Sequence, residues 1–131
     1  KKIKYNKKSE RKKEMAEEKN EFNSEIQKII GIMEEKKAKD IKVYDMRGKS
    51  PFFDYSILCT GSSNRNIEAI TTDVKKSLDA VKSVEGLEEA NWVLIDAGDV
   101  IVSIFSQDAR DYYKLDEFYS GVKEENRENN E

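Results

Sequence analysis

Apolar positions along the chain keep two different rhythms, and the switches between them mark the elements. Phe22, Ile26, Ile29, Ile30 and Met33 recur at helical spacing and predict an amphipathic helix. Ser24 fits its N-cap, with Gln27 three residues on, and Gly31 inside the stripe predicts a close packing contact. The charged run Glu34–Lys39 carries that helix to its end. Asp40–Met46 then alternates, with Ile41, Val43 and Asp45 on one face of a first strand. Gly48, Ser50 and Pro51 interrupt it, and Asp54–Thr60 is the second strand. Gly61-Ser62-Ser63-Asn64 is a turn in which Ser62 or Ser63 caps a helix over about 64–82, marked by Ile67, Ile70, Val74, Leu78 and Val81. Val84–Asn91, with Gly86, reads as a loop. Trp92–Phe105 (WVLIDAGDVIVSIF) reads as a hairpin, strands 92–96 and 100–105 about Ala97-Gly98-Asp99. Ser106 caps a last helix, roughly 107–120, ending at Gly121; its face holds Ala109, Tyr112, Tyr113 and Leu115, with Phe118 and Tyr119 beyond.

The predicted order is α-β-β-α-β-β-α, an α/β class with a mixed four- to five-stranded sheet and helices chiefly on one side of it. The segment 54–82 followed by strand 92–96 forms a β-α-β crossover, which predicts that these two strands run parallel. No internal repeat occurs. The expected organisation is a basic tail over 1–20, partly helical or disordered, a domain over 21–122, and a polar disordered tail over 123–131.

Charge sharpens that division. Charged residues make up 39% of the 131 positions. Residues 1–20 hold nine Lys/Arg against four Glu, and residues 123–131 hold two against four; with −3 overall, that leaves −6 for residues 21–122. An acidic domain is repelled by bare nucleic acid, whereas the basic arm can reach phosphate or remain a solvated tail. The single cysteine, Cys59, can form neither an intramolecular disulfide nor a metal cage, and the absence of histidine removes the commonest general base and metal ligand. No apolar run approaches the roughly 18 residues that span a bilayer, and no apolar core follows the basic start as in a secretory signal, so no membrane partner and a cytoplasmic location are expected.

Two groups could carry function. Thr60-Gly61-Ser62-Ser63 sits where a strand meets a helix, a place where backbone N–H groups can hold phosphate. A metal-dependent nucleotidyltransferase would use such a turn, but it needs paired carboxylates, and Asp96 and Asp99 flank a hairpin turn instead. The alternative for the turn is a plain helix cap. Asp40, Asp45 and Asp54 stand at different element ends and read as solvated acids, so neither metal nor cofactor is expected. The second group is aromatic: Trp92, Tyr112, Tyr113, Phe118 and Tyr119; Phe105 and one of Tyr112 or Tyr113 are expected in the core. Trp and Tyr combine large area with low entropy cost, which suits interface centres.

The chain resembles the ribosomal silencing factor (RsfS, Iojap-like) family. The resemblance is carried by Glu35–Ile41, Asp54–Ser63, Glu85-Gly86-Leu87, Trp92–Val102 and Arg110–Asp116, in order through about residues 26–120. It implies a compact domain of nucleotidyltransferase-like shape without catalytic residues. It also implies binding to the large ribosomal subunit through its protein fourteen, where the bound factor blocks joining of the small subunit and damps translation. A role in large-subunit assembly follows from the same docking. Two positions depart from the family pattern: Ser103 stands where histidine is common, and Phe118-Tyr119 where an apolar residue and Trp are frequent.

The expected partner-binding residues are the aromatic anchors Trp92, Tyr113 and Tyr55, the carboxylates Asp54, Asp96 and Asp99 facing a basic protein, and Arg110 as a polar tether. The arm at 1–20 would add contact with ribosomal RNA, and the free protein could form a homodimer through the same surface.

Overall fold

A computed structural model describes residues 24–121. The tails at 1–20 and 123–131, and Phe22, lie outside the described residues. The first helix, α1, is described over 24–35; Ser24 is already helical, so it does not serve as the cap. Ile26, Ile29, Ile30 and Met33 form its buried stripe, as their spacing requires. Gly31 faces away from that contact: among the described residues nothing lies within 4 Å of a Cβ added there, so none of them makes the expected close approach. The helix ends in paired reverse bonds, Lys37 N–H to Glu34 C=O at 2.9 Å and Ala38 N–H to Met33 C=O at 2.8 Å. Lys37 takes the left-handed conformation that this termination needs, with φ 64°.

Strands β1 (Lys39–Asp45), β2 (Tyr55–Thr60), β3 (Ser83–Glu85), β4 (Trp92–Asp96) and β5 (Val100–Phe105) form one five-stranded sheet in the order β1-β2-β5-β4-β3. Helix α2 (Asn64–Ser77) follows β2, and α3 (Gln107–Tyr113) and α4 (Leu115–Phe118) follow β5. The sheet is mixed: β2 and β5 are parallel, and all other neighbours are antiparallel.

Four expectations are corrected. The strand parallel to β2 is β5, whereas 92–96 runs antiparallel to it and is not its neighbour. After crossing by α2, the chain reaches the far edge first, and the tight hairpin then brings β5 back beside β2. The segment read as a loop contains β3, three residues paired with β4, too short to show an alternation. Helix α2 stops at Ser77, whose hydroxyl donates to the Val74 carbonyl at 2.8 Å, and Leu78 is already extended. Leu78 and Val81 still reach the core, so their helical spacing is coincidental. Finally, the last helix breaks at Lys114, a left-handed residue (φ 52°, ψ 44°) shared by the ends of α3 and α4.

The sheet has two packed faces. The larger core joins α1 and α2 to Val43, Tyr55, Ile57, Cys59, Val93, Ile95, Val100, Val102 and Ile104. The smaller lies on the opposite face, where Tyr44, Met46, Leu58 and Phe105 meet Ala109 and Tyr119. Tyr119 stacks on Tyr44 with ring centroids 4.7 Å apart, a contact made possible by the break at Lys114.

Two glycines test this packing in opposite directions. Gly86 has φ +86°, and a Cβ there would lie 2.1 Å from the Trp92 carbonyl oxygen, a backbone atom that cannot step aside. Gly86→Ala is expected to cost more than about 2 kcal/mol. Gly31→Ala, in open space on a helix, is expected to stabilise by about 0.5–1 kcal/mol. Equilibrium urea unfolding of the two variants beside the parent protein checks both signs.

Candidate functional site

The face of the sheet opposite α1 and α2 is only partly covered, and the candidate site lies along the cover's margin. Cross-strand registers place Thr60, Phe105 and Trp92 in one row, Lys42, Leu58, Ser103, Leu94 and Glu85 in the next, and Tyr44, Ser56, Ile101, Asp96 and Ser83 in a third. The segment α3–α4 closes over the β1, β2 and β5 ends of these rows. Leu94, Ile101 and Trp92 towards β4 remain half-buried.

Trp92 opens β4 and packs against Phe105 at 5.1 Å and Tyr113 at 4.8 Å between ring centroids. Its indole N–H is shielded and has no acceptor among the described residues, a cost of about 1–3 kcal/mol that the ring packing offsets. Tyr113 in turn meets Tyr112 edge to face at 5.0 Å. Tyr112, Tyr113 and Phe118 are 77%, 51% and 75% exposed, so the expectation that one of the two tyrosines is core does not hold. Lys114 supplies the reason: the helix turns there, and Leu115 and Tyr119 fill the space against the sheet instead.

The hairpin carboxylates gather at the other end of β4 and β5. Asp96 Oδ1 accepts the Gly98 N–H at 2.9 Å, fixing a turn in which Gly98 has φ 88°. The Asp99 carbonyl accepts from the Asp54 N–H at 2.7 Å and the Tyr55 N–H at 3.1 Å, bringing the backbones of Asp54 and Asp99 together. Thus Trp92 and Tyr113 meet at one end of β4, and the backbones of Asp54 and Asp99 meet at the other, beside the turn that Asp96 fixes.

Two expected anchors fall elsewhere. Tyr55 is buried in the larger core, on the helix-covered face, with the Arg47 guanidinium 5.2 Å from its ring centre. One residue of strand parity separates that face from the open one. Arg110 is only 6% exposed and is no surface tether. Its Nε donates to Asp116 Oδ2 at 2.7 Å, Nη2 to Asp116 Oδ1 at 3.1 Å and Nη1 to Thr60 Oγ1 at 2.9 Å. The Tyr44 hydroxyl donates to Asp116 Oδ1 at 3.0 Å. Sequence reasoning missed Asp116 and Thr60 as partners of Arg110, and Tyr44 as a partner of Asp116. The six-residue spacing of Arg110 and Asp116 matches no single helix, so only the break at Lys114 makes the pair.

The Thr60-Gly61-Ser62-Ser63 turn is occupied by its own structure. Ser63 Oγ accepts the Asn66 N–H at 3.0 Å, the Ser62 N–H donates to Asn66 Oδ1 at 2.9 Å, and the Gly61 N–H donates to the Phe105 carbonyl at 2.7 Å. A Cβ on Gly61 would lie 2.5 Å from Ile67 Cγ1, so helix packing demands the glycine there. Among the described residues no group of three or more His, Cys, Asp or Glu could hold a metal ion, and no helix is long and apolar enough to cross a membrane. Burial pushes the Cys59 thiol up to about 12, which makes it inert as a nucleophile. Ser103, one of the departures noted above, is 1% exposed between Leu58 and Leu94 in its row, so that departure alters packing and leaves the outer surface unchanged.

The hydrogen bonds from Arg110 hold the Asp116 carboxyl below the usual carboxylate range, against the opposing effect of partial burial. A depressed folded-state value means that Asp116 contributes stability above its unfolded value, about 3.9, and loses it as pH falls through the folded value. The thermal midpoint should therefore drop on acidification below about pH 4. Asp116→Asn should show a shallower drop over that range; equal slopes in the two melts would show that Asp116 is not the responsible group.

Comparison with known proteins agrees with this architecture. A family model described as "Ribosomal silencing factor during starvation" matches residues 8–131, a wider span than the motifs themselves. A ribosomal silencing factor of Bacillus subtilis is 41% identical over 90 residues, 66% of this chain and 76% of the relative. A crystal structure of a protein from Chromobacterium violaceum superposes with TM-score 0.71 at 33% identity, covering 77% of this chain and 88% of that one. A more distant mouse relative, 20% identical over 103 residues (73% of this chain, 45% of the relative), is named for mitochondrial assembly of the ribosomal large subunit. The chain belongs to the ribosomal silencing factor family.

Proposed function

We propose that this protein is a cytoplasmic translational repressor that binds the large ribosomal subunit through ribosomal protein fourteen and sterically blocks joining of the small subunit. Occupancy of a surface is the whole mechanism; no bond is made or broken. Aid to large-subunit assembly is a second consequence of the same docking, in keeping with the name of the mouse relative.

The observation that carries the reading is the set of exposed aromatics on α3 and α4, Tyr112, Tyr113 and Phe118, with Tyr113 seated against the half-buried Trp92. Large apolar rings held in the open cost hydration free energy in the free protein and recover it when a partner covers them. Asp96 and Asp99 on the hairpin and Asp108 and Asp111 on α3 add negative charge to the elements that carry these side chains, which favours a basic protein and disfavours exposed phosphate. Tyr113 and Trp92 act as the central anchors, and Asp54, Asp96 and Asp99 provide charge complementary to Lys and Arg. In the free protein the same surface can serve a homodimer. The contact with ribosomal RNA assigned to residues 1–20 lies outside the described residues.

Sedimentation of purified subunits tests the function. The protein is expected to travel with the large subunit and to lower the yield of joined ribosomes. Tyr113→Ala should weaken subunit binding by at least tenfold, about 1.4 kcal/mol or more. Asp96→Asn combined with Asp99→Asn should weaken it less and flatten its salt dependence. Full binding by both variants would remove this surface from the interface.

A further inference from the structure

We propose that Arg110, Asp116, Tyr44 and Thr60 are positioning residues: together they lock the α3–α4 elbow in the pose that presents Tyr112, Tyr113 and Phe118 to the partner. The proposal rests on the docking function given above and assigns a device that controls it.

Among the described residues the elbow has few apolar contacts besides that of Tyr113 with Trp92. Helices α3 and α4 span seven and four residues, far short of the roughly 12–15 at which an isolated helix is even marginal in water. Ala109 and Tyr119 are its buried apolar contacts, with Leu115 partly buried beside them. Between the helices stands Lys114, a residue with a Cβ in the left-handed region, a conformation costing about 1–2 kcal/mol that a free chain would abandon. Something must select the bent form, and the polar network is placed to do so. Arg110 of α3 joins Asp116 of α4 to Thr60 of β2, and Tyr44 of β1 donates to the same Asp116.

The choice of chemistry supports a geometric role. Burying a guanidinium brings little net stability over an apolar side chain of similar volume, because desolvation offsets the attraction. A guanidinium does fix directions: its planar fork holds Asp116 on one side and the Thr60 hydroxyl on another. Apolar packing would let a short two-helix elbow slide. Rigid presentation lowers the ordering cost of binding, which matters most when the contact residues are large exposed rings.

Trp92 makes the lock measurable. It is the chain's single tryptophan and touches Tyr113 of α3, so its fluorescence reports whether the elbow is seated. Asp116→Asn in the full chain, at a temperature where far-UV circular dichroism shows it folded, is expected to red-shift Trp92 emission. It should also lower large-subunit affinity by at least fivefold. Asp116→Glu restores the charge and should return both readings to within twofold of the parent protein. Should Asp116→Asn fail to fold, Tyr44→Phe removes one bond of the network without stranding a buried charge, and a smaller shift of the same sign in both readings is expected. Parent-like affinity in the folded Asp116→Asn protein, or in Tyr44→Phe where that replaces it, overturns the lock while leaving the docking function intact. Failure of the parent protein itself to sediment with the large subunit overturns the docking function, and the proposal with it.

Discussion

Burial of β2 and β5 on both faces is the constraint from which the rest of the molecule follows. Every residue of β2 is buried, and β5 is exposed only in part, at Ile101. A strand pair of this kind needs a layer on each side. The two long helices meet the need on one face. On the other, the described residues offer only the short segment after β5, and that segment is spent over β1, β2 and β5. Nothing among the described residues remains to cover β4, so Trp92, Leu94 and Ile101 are left half-open. The site is thus the unfinished edge of a layer whose completed part is required for folding.

Charge is distributed to suit this arrangement. Arg110, the one cation buried within the second layer among the described residues, is matched by Asp116 and by the Thr60 hydroxyl. The carboxylates of the hairpin and α3 remain at the margin, where water solvates them in the free protein and a basic partner can replace that water. An enzyme of similar topology would need its acidic groups convergent. Here Asp96 accepts a hydrogen bond from its own turn and Asp99 stands exposed at the tip of the same hairpin.

The legible parts of the fold were those with a strong local signal. The stripe of α1, the Ser63 and Ser106 caps and the Ala97-Gly98-Asp99 hairpin each follow from residues within a few positions of one another. What escaped depended on contacts distant in sequence. The partner of β2 could not be read from a crossover alone, because a later hairpin inserts β5 between β2 and β4. The break at Lys114 carries no Gly or Pro; it exists because Tyr119 can stack on Tyr44 and Asp116 can reach Arg110. The site shows the same division. Trp92 and Tyr113, singled out as aromatics near the hairpin, do meet ring to ring on the open face, whereas Tyr55 and Arg110 were misplaced because strand parity and a tertiary ion pair decide their burial.

These misplacements bear on how the surface works. Tyr55 and Arg110 look like recognition residues, being an aromatic and an arginine next to the hairpin, yet both lie inside. The residues that do face outward, Tyr112 and Phe118, are carried by the weakest elements of the fold, two helices too short to persist alone. A docking surface built on weak elements needs support from beneath, and the support must itself be buried to resist competition from water. Arginine can reach from a short helix to a strand and still hold a carboxylate on the next helix. The buried polar group and the exposed apolar group are therefore two halves of one arrangement: rings can stand in solvent at fixed positions because a charge has been taken out of it.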